Sequence, residues 1–199
     1  GLSLERESTA SITISKQPMI AVALREWTCD KQYWSLIVKA LALCRRAGFQ
    51  LVSVPMHGEK DEEVSQAIVN RIDDEAVVLD AELPIREKAA AIAKANVLVG
   101  MRLHSLIFAA LANVPFVALA YDPKVDSFAE QCKQPIFSVS EINWSEEDLF
   151  AAILDQYENR EEIKEQLAPL ITTMKANVER TAERALALFR SRHSGDTFN

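Results

Sequence analysis

Glycine-rich phosphate loops, paired metal-binding cysteines and membrane-length apolar runs are all missing from this chain, and each absence removes a class of function. The first strand-to-helix turn reads LREWTCDK and has no GxGxxG, so a dinucleotide cofactor is not indicated. The three cysteines, Cys29, Cys44 and Cys132, are widely spaced and sit partly inside apolar runs. Without a CxxC or Cys/His pattern they read as reduced core thiols of a cytoplasmic protein, and no metal is expected. No apolar run approaches the roughly 18 residues needed to span a bilayer. The opening GLSLERESTA has neither a charged nor an apolar leader segment, so no secretory signal is visible. An excess of positive charge is lacking too. Twenty-two basic residues face 29 acidic ones, the net charge is −7, and the basic residues are scattered, which argues against a nucleic-acid partner.

What is present is a soluble chain of ordinary composition, 49% hydrophobic and 26% charged, whose 199 residues suffice for one good-sized domain. Residues 1–17 are polar and Ser/Thr-rich, and read as a linker or arm. After Pro18 strands and helices alternate. Strands are expected at Met19–Leu24, Phe49–Met56, Ala76–Leu79, Val97–Gly100 and Pro115–Ala120, with an edge strand at Ile136–Val139. Helices are expected at Lys31–Ala47, closed by Gly48, from Asp61 as N-cap to Ile72, and from Pro84 in the first turn to Lys94. Further helices are expected at His104–Ala112, Glu146–Tyr157 and Arg160–Phe189, with residues 191–199 as a flexible tail. Alternating elements with near-continuous apolar strands predict an α/β domain over residues 18–190, a Rossmann-like doubly wound parallel sheet.

In such a sheet the strand ends collect on one rim, where ligands bind. Reading those ends in turn gives Arg25, His57, Arg102 and His104, then Tyr121, Asp122 and Lys124. Any one of them could be a solvated loop residue. Together they describe a site for a small anion with a proton donor beside it. Arg102 offers a planar fork for carboxylate or phosphate. His104 falls in the first turn of its helix, where a bound anion would raise its pKa toward neutrality; capping or packing under a loop fits that position as well. Lys124 lies in a turn after Pro123, and Asp122 reads as a turn former. The acidic run Asp61-Glu62-Glu63 is accounted for by dipole compensation in a first helical turn.

The segment Gly100-Met101-Arg102-Leu103-His104-Ser105-Leu106-Ile107-Phe108-Ala109-Ala110, with Val114-Pro115 and Tyr121-Asp122-Pro123-Lys124-Val125, resembles the polysaccharide pyruvyl transferase family. It is most similar to the CsaB type, associated with cell-wall and surface polysaccharides. Weaker similarity extends through Leu24-Arg25-Glu26-Trp27 and Pro55-Met56-His57.

The resemblance implies two Rossmann-like halves arranged as in GT-B glycosyltransferases, this chain being the C-terminal half and an N-terminal domain its missing partner. It implies transfer of pyruvate from phosphoenolpyruvate, the donor substrate, to a sugar as a cyclic ketal, with no cofactor. Arg102 and Lys124 would hold the donor's phosphate or carboxylate, with Arg25 and His57 as further substrate contacts, and His104 would be the catalytic acid. The implied acceptor is a lipid-linked or nucleotide-linked sugar, which is compatible with peripheral association at the cytoplasmic face of the membrane. The isolated half is expected to be inactive. Two other readings stay open on these residues: a GT-B sugar-nucleotide domain of a glycosyltransferase or epimerase, and a non-catalytic interaction domain.

Overall fold

The computed structural model describes the backbone of residues 17–26, 31–72 and 76–193 of the 199-residue chain. Its centre is a strand of five buried residues, β1 (Met19–Ala23), whose side chains alternate between two cores. Met19, Ala21 and Ala23 face one, and Ile20, Val22 and Leu24 face the other. That alternation is the period-two geometry of a strand covered on both sides.

Five more strands come after it in sequence: β2 (Gln50–Ser53), β3 (Val77–Val78), β4 (Val97–Gly100), β5 (Phe116–Ala120) and β6 (Ile136–Ser138). All pairings are parallel and the spatial order is β3-β2-β1-β4-β5-β6. The direction of winding reverses between β1 and β4, where Ile20 pairs with Val97 and Ala23 with Gly100. One face is covered by α1 (Lys31–Arg46), α2 (Gly58–Ile72) and α6 (Glu146–Glu158). The other is covered by α3 (Ile85–Ala93), α4 (Leu103–Leu111), α5 (Pro123–Gln131) and α7 (Arg160–His193). This is the doubly wound α/β fold that the alternating pattern predicts.

Three helices end in the same way. After α1, α4 and α5 a residue with left-handed backbone, Gly48 (φ 91°), Asn113 (φ 55°) or Lys133 (φ 55°), lets two amides turn back to orphan carbonyls. After α1, for example, Phe49 N–H donates to Cys44 C=O at 3.1 Å and Gly48 N–H to Arg45 C=O at 2.9 Å. These compact stops return the chain to the next strand within a few residues and leave the longer connections on the opposite rim.

Several expected boundaries shift. The strand expected to reach Met56 stops at Ser53, because Pro55 has no N–H to donate and β3 pairs only with Val52 and Ser53. Helix α2 starts at Gly58, so Asp61 lies within its first turns rather than capping it. Pro84 is the residue ahead of α3 rather than part of its first turn, with the extended backbone (ψ 143°) of a cap position. The last helix runs through His193, three residues into the segment read as a tail. The arm expected over residues 1–17, apart from Gln17, lies outside the described residues, as do Trp27 and Cys29.

Candidate active site

The rim at the β1/β4 reversal is built from three strand ends. From β1 the chain continues to Arg25, whose Nη1 donates to the Tyr121 hydroxyl at 2.8 Å. Its guanidinium carbon also stands 4.7 Å from the centre of the Tyr121 ring, within cation–π range. Since Tyr121 comes directly after β5, this contact bridges over the end of β4 and fixes Arg25 at the switch point.

From β2 the chain reaches His57, then turns at Gly58 (φ 64°) into α2. The left-handed turn favours glycine. Three residues on, the Asp61 side chain reaches back and accepts the His57 N–H at 3.0 Å. The same carboxylate takes Arg102 from the side. Arg102 Nε donates to Oδ2 at 3.0 Å and Nη2 to Oδ1 at 2.6 Å. Asp61 is 0% exposed and the Arg102 side chain 21% exposed, so the pair is buried on one side and wet on the other. Arg102 is the residue that leads from β4 into α4, with extended backbone (φ −84°, ψ 122°). Its conformation is held again by Ser105, whose hydroxyl donates to the Arg102 carbonyl at 2.6 Å.

Between these ends lies an open cavity of about 660 Å³, lined by Arg25, His57, Gly58, Glu59, Lys60, Glu82 and Arg102. Three lining residues, Arg25, Lys60 and Arg102, carry positive charge and two, Glu59 and Glu82, negative charge, and the N-termini of α2 and α4 open at the same rim, which favours anions. Glu82 enters from the β3–α3 turn, which is clamped. Its N–H donates to Asp80 Oδ1 at 2.7 Å, Ala81 N–H donates to Glu62 Oε2 at 3.1 Å, and the buried Lys88 (4% exposed) donates to Ala81 C=O at 2.7 Å.

The other two residues read from the sequence stand apart from this lining. His104 is exposed in the first turn of α4, and Lys124 is exposed in the first turn of α5. Both lie just past strands of the same rim. Asp122 caps α5, its side chain accepting the Lys124 N–H at 2.8 Å, as its place in the turn predicts. Among the described residues no group of three or more His, Cys, Asp or Glu is placed to hold a metal ion.

The sequence profile of the polysaccharide pyruvyl transferase family matches residues 7–123, more than half of the chain. The chain belongs to the polysaccharide pyruvyl transferase family. No curated protein matches the sequence. Solved structures share the fold of this chain at low identity. A glycosyltransferase of kitacinnamycin superposes with a TM-score of 0.57 at 15% identity, covering 84% of this chain and 43% of that one. A putative UDP-N-acetylglucosamine 2-epimerase from Listeria monocytogenes gives 0.54 at 15%, covering 76% and 39%. The C-terminal domain of a group 1 glycosyl transferase from Francisella tularensis gives 0.55 at 12%, covering 78% of this chain and 85% of that domain. The chain thus spans less than half the length of the first two. The six-stranded parallel sheet is that of GT-B glycosyltransferase C-terminal domains.

Strand-end reasoning misses four residues at this site: Glu59, Lys60, Asp61 and Glu82. Glu59 and Lys60 fall between His57 and the expected cap Asp61, and Asp61 itself is accounted for by capping and the helix dipole. Glu82 comes after a strand of only two residues, β3, too short to point to the rim.

Proposed function

We propose that this chain carries the donor-binding part of an enzyme that moves pyruvate from phosphoenolpyruvate to a sugar hydroxyl pair as a cyclic ketal. The observation that carries the reading is one cavity at the β1/β4 reversal walled by Arg25, Lys60 and Arg102, in a member of a pyruvyl transferase family. Phosphoenolpyruvate carries its carboxylate and its phosphate on the same carbon, and the two held guanidinium groups, Arg25 and Arg102, suit that pair of anions.

The chemistry asks for an acid and for anion stabilisation. A proton is added to the methylene carbon of the donor, turning it into a methyl group. Two sugar hydroxyl oxygens then bond to the donor's central carbon and lose their protons, while its bond to the phosphate oxygen breaks and phosphate leaves. His104, standing exposed at the start of α4, is the proposed proton donor. Arg102, Arg25 and Lys124 hold the anionic groups and stabilise the departing phosphate, with His57 as a further substrate contact. A second Rossmann-like domain would close the cavity and bring the sugar acceptor, a lipid-linked or nucleotide-linked sugar made at the cytoplasmic face of the membrane. Among the described residues no helix is long and apolar enough to cross a membrane.

Calorimetric titration of the chain with phosphoenolpyruvate tests this reading, with UDP-sugars as the competing ligands. Saturable phosphoenolpyruvate binding that is weakened at least about tenfold, but stays measurable, in Arg102→Ala is the expected result. Preference for a UDP-sugar would move the assignment to a sugar-nucleotide domain. Binding of neither ligand, together with unimpaired transfer by an Arg102→Ala, His104→Ala enzyme, would leave an interaction domain.

A further inference from the structure

We propose that Asp61 is a positioning residue of the anion site, setting the orientation in which Arg102 meets its ligand. This inference rests on the donor-site reading above and adds to it the residue that fixes the geometry. A guanidinium has five N–H groups in one plane, and two are committed to Asp61 along the side-on edge, from Nε and Nη2. The remaining edge, made by Nη1 and the outer N–H of Nη2, is a second two-point fork. The Arg102 side chain makes no other hydrogen bond among the described residues, and Arg102 lines the cavity. The plane of the guanidinium is therefore set by a buried carboxylate behind it while its second fork is left for an oxyanion.

The grip extends to the opposite wall. The oxygen that takes Arg102 Nε also takes the His57 N–H, just ahead of the segment that gives the cavity His57, Gly58, Glu59 and Lys60. One side chain thus ties the β2–α2 junction to the β4–α4 junction. Asp61 is itself buried, on a helix whose Ser65 hydroxyl donates to the Asp61 carbonyl at 2.7 Å. A carboxylate beside an anion site lowers the attraction for any anion. Positioning and net charge therefore predict opposite signs when it is neutralised, and that makes the assignment testable.

The experiment uses Asp61→Asn, which keeps size and shape, with Arg102→Ala and the double variant, all checked for an unchanged circular dichroism spectrum. Phosphoenolpyruvate and inorganic phosphate are titrated calorimetrically into each. Phosphoenolpyruvate has two anionic groups at fixed separation, so Asp61→Asn should weaken it by at least about tenfold while inorganic phosphate changes by less than about threefold. In the Arg102→Ala background Asp61→Asn should cost nothing more, because the residue acts through that arginine. Equal or tighter phosphoenolpyruvate binding in Asp61→Asn, or additive losses in the double variant, would overturn the proposal. If the parent chain itself ignores phosphoenolpyruvate, the donor reading fails. The positioning role is then decided by the Arg102 Nε–H resonance in nitrogen-15 NMR. It should be slow to exchange in the parent and lost in Asp61→Asn, and an unchanged signal sinks the assignment.

Discussion

Replacing Gly100 by alanine measures how closely β4 carries the helix that opens the site. An added methyl carbon would lie 2.9 Å from Leu106 Cδ2, 2.9 Å from Ser105 Oγ and 3.4 Å from Leu98 Cδ2. Non-bonded carbons rest about 3.5–4.0 Å apart, so the first two contacts are repulsive. Neither neighbour has room to move: Leu106 and Ser105 are fully buried, and the Ser105 hydroxyl is engaged with the Arg102 carbonyl. Forcing a methyl into such a place costs about 1–3 kcal/mol. Alanine also restricts the unfolded chain, which returns about 0.4–1 kcal/mol in an ordinary strand conformation. Repulsion wins, and a net loss of about 1–2 kcal/mol should lower the melting temperature by about 2–8 °C in a chain of this size. Thermal unfolding monitored by circular dichroism, parent against Gly100→Ala at equal concentration, reads this directly. A variant that melts at or above the parent would refute the close-approach argument.

Local chemistry sets other outcomes. Burial pushes the Cys44 thiol up to about 12 and the Cys132 thiol up to about 11, so in a Cys29→Ser chain neither should react with a thiol reagent at pH 8 until the protein unfolds, and stoichiometric labelling of the native chain would contradict their burial. The Asp148 carboxyl is held below its ordinary value by the Ser145 backbone N–H and then by the Ser145 hydroxyl, in a reciprocal cap at the start of α6. A lowered carboxyl contributes stability that is complete above its unfolded pKa, about 3.9, and is lost as pH falls through the folded value. NMR titration should find Asp148 below that reference, and Ser145→Ala, which removes the hydroxyl but keeps the backbone N–H, should bring it only part of the way back; a Ser145→Ala titration identical to the parent's would rule the hydroxyl out as a contributor. Lys133 is exposed with φ 55°, a conformation that costs an L-residue about 1–2 kcal/mol. After the entropy penalty of glycine, Lys133→Gly should gain up to about 1 kcal/mol and melt about 2–4 °C higher, and a lower melting point would show that the lysine is not strained.

Much of the fold was legible because strands here are signalled twice, by their apolar runs and by the polar or glycine-containing turns that bound them. Gly48 marks the end of α1, and Val97–Gly100 is found at the expected residues. Boundaries slipped where tertiary pairing, not pattern, sets the limit, as at Ser53: Val54 N–H still donates to Val22 C=O, but Pro55 and a two-residue neighbour end the ladder there. The site was legible in part for a similar reason. Arg25, His57 and Arg102 could be found by tracing strands to their ends, and the cavity brings those three together. Asp61 could not be found that way. Nothing in DEE at a helix start says that its first carboxylate turns inward and finds an arginine 41 residues along the chain. A buried ion pair between two junctions is a property of the assembled sheet.

The narrow margins of that sheet bear on how the protein behaves in crowded solution. An open sheet ends in two rows of unpaired backbone groups, each able to template strand addition from another molecule. Here the outermost strands are the shortest, two residues at Val77–Val78 and three at Ile136–Ser138. The five-residue, fully buried strands Met19–Ala23 and Phe116–Ala120, whose sequences would stack well in a fibril, are each flanked on both sides. A folded molecule therefore offers almost no ladder to copy, and the hazard of fibrillar association belongs to the unfolded chain, before those short margins are in place.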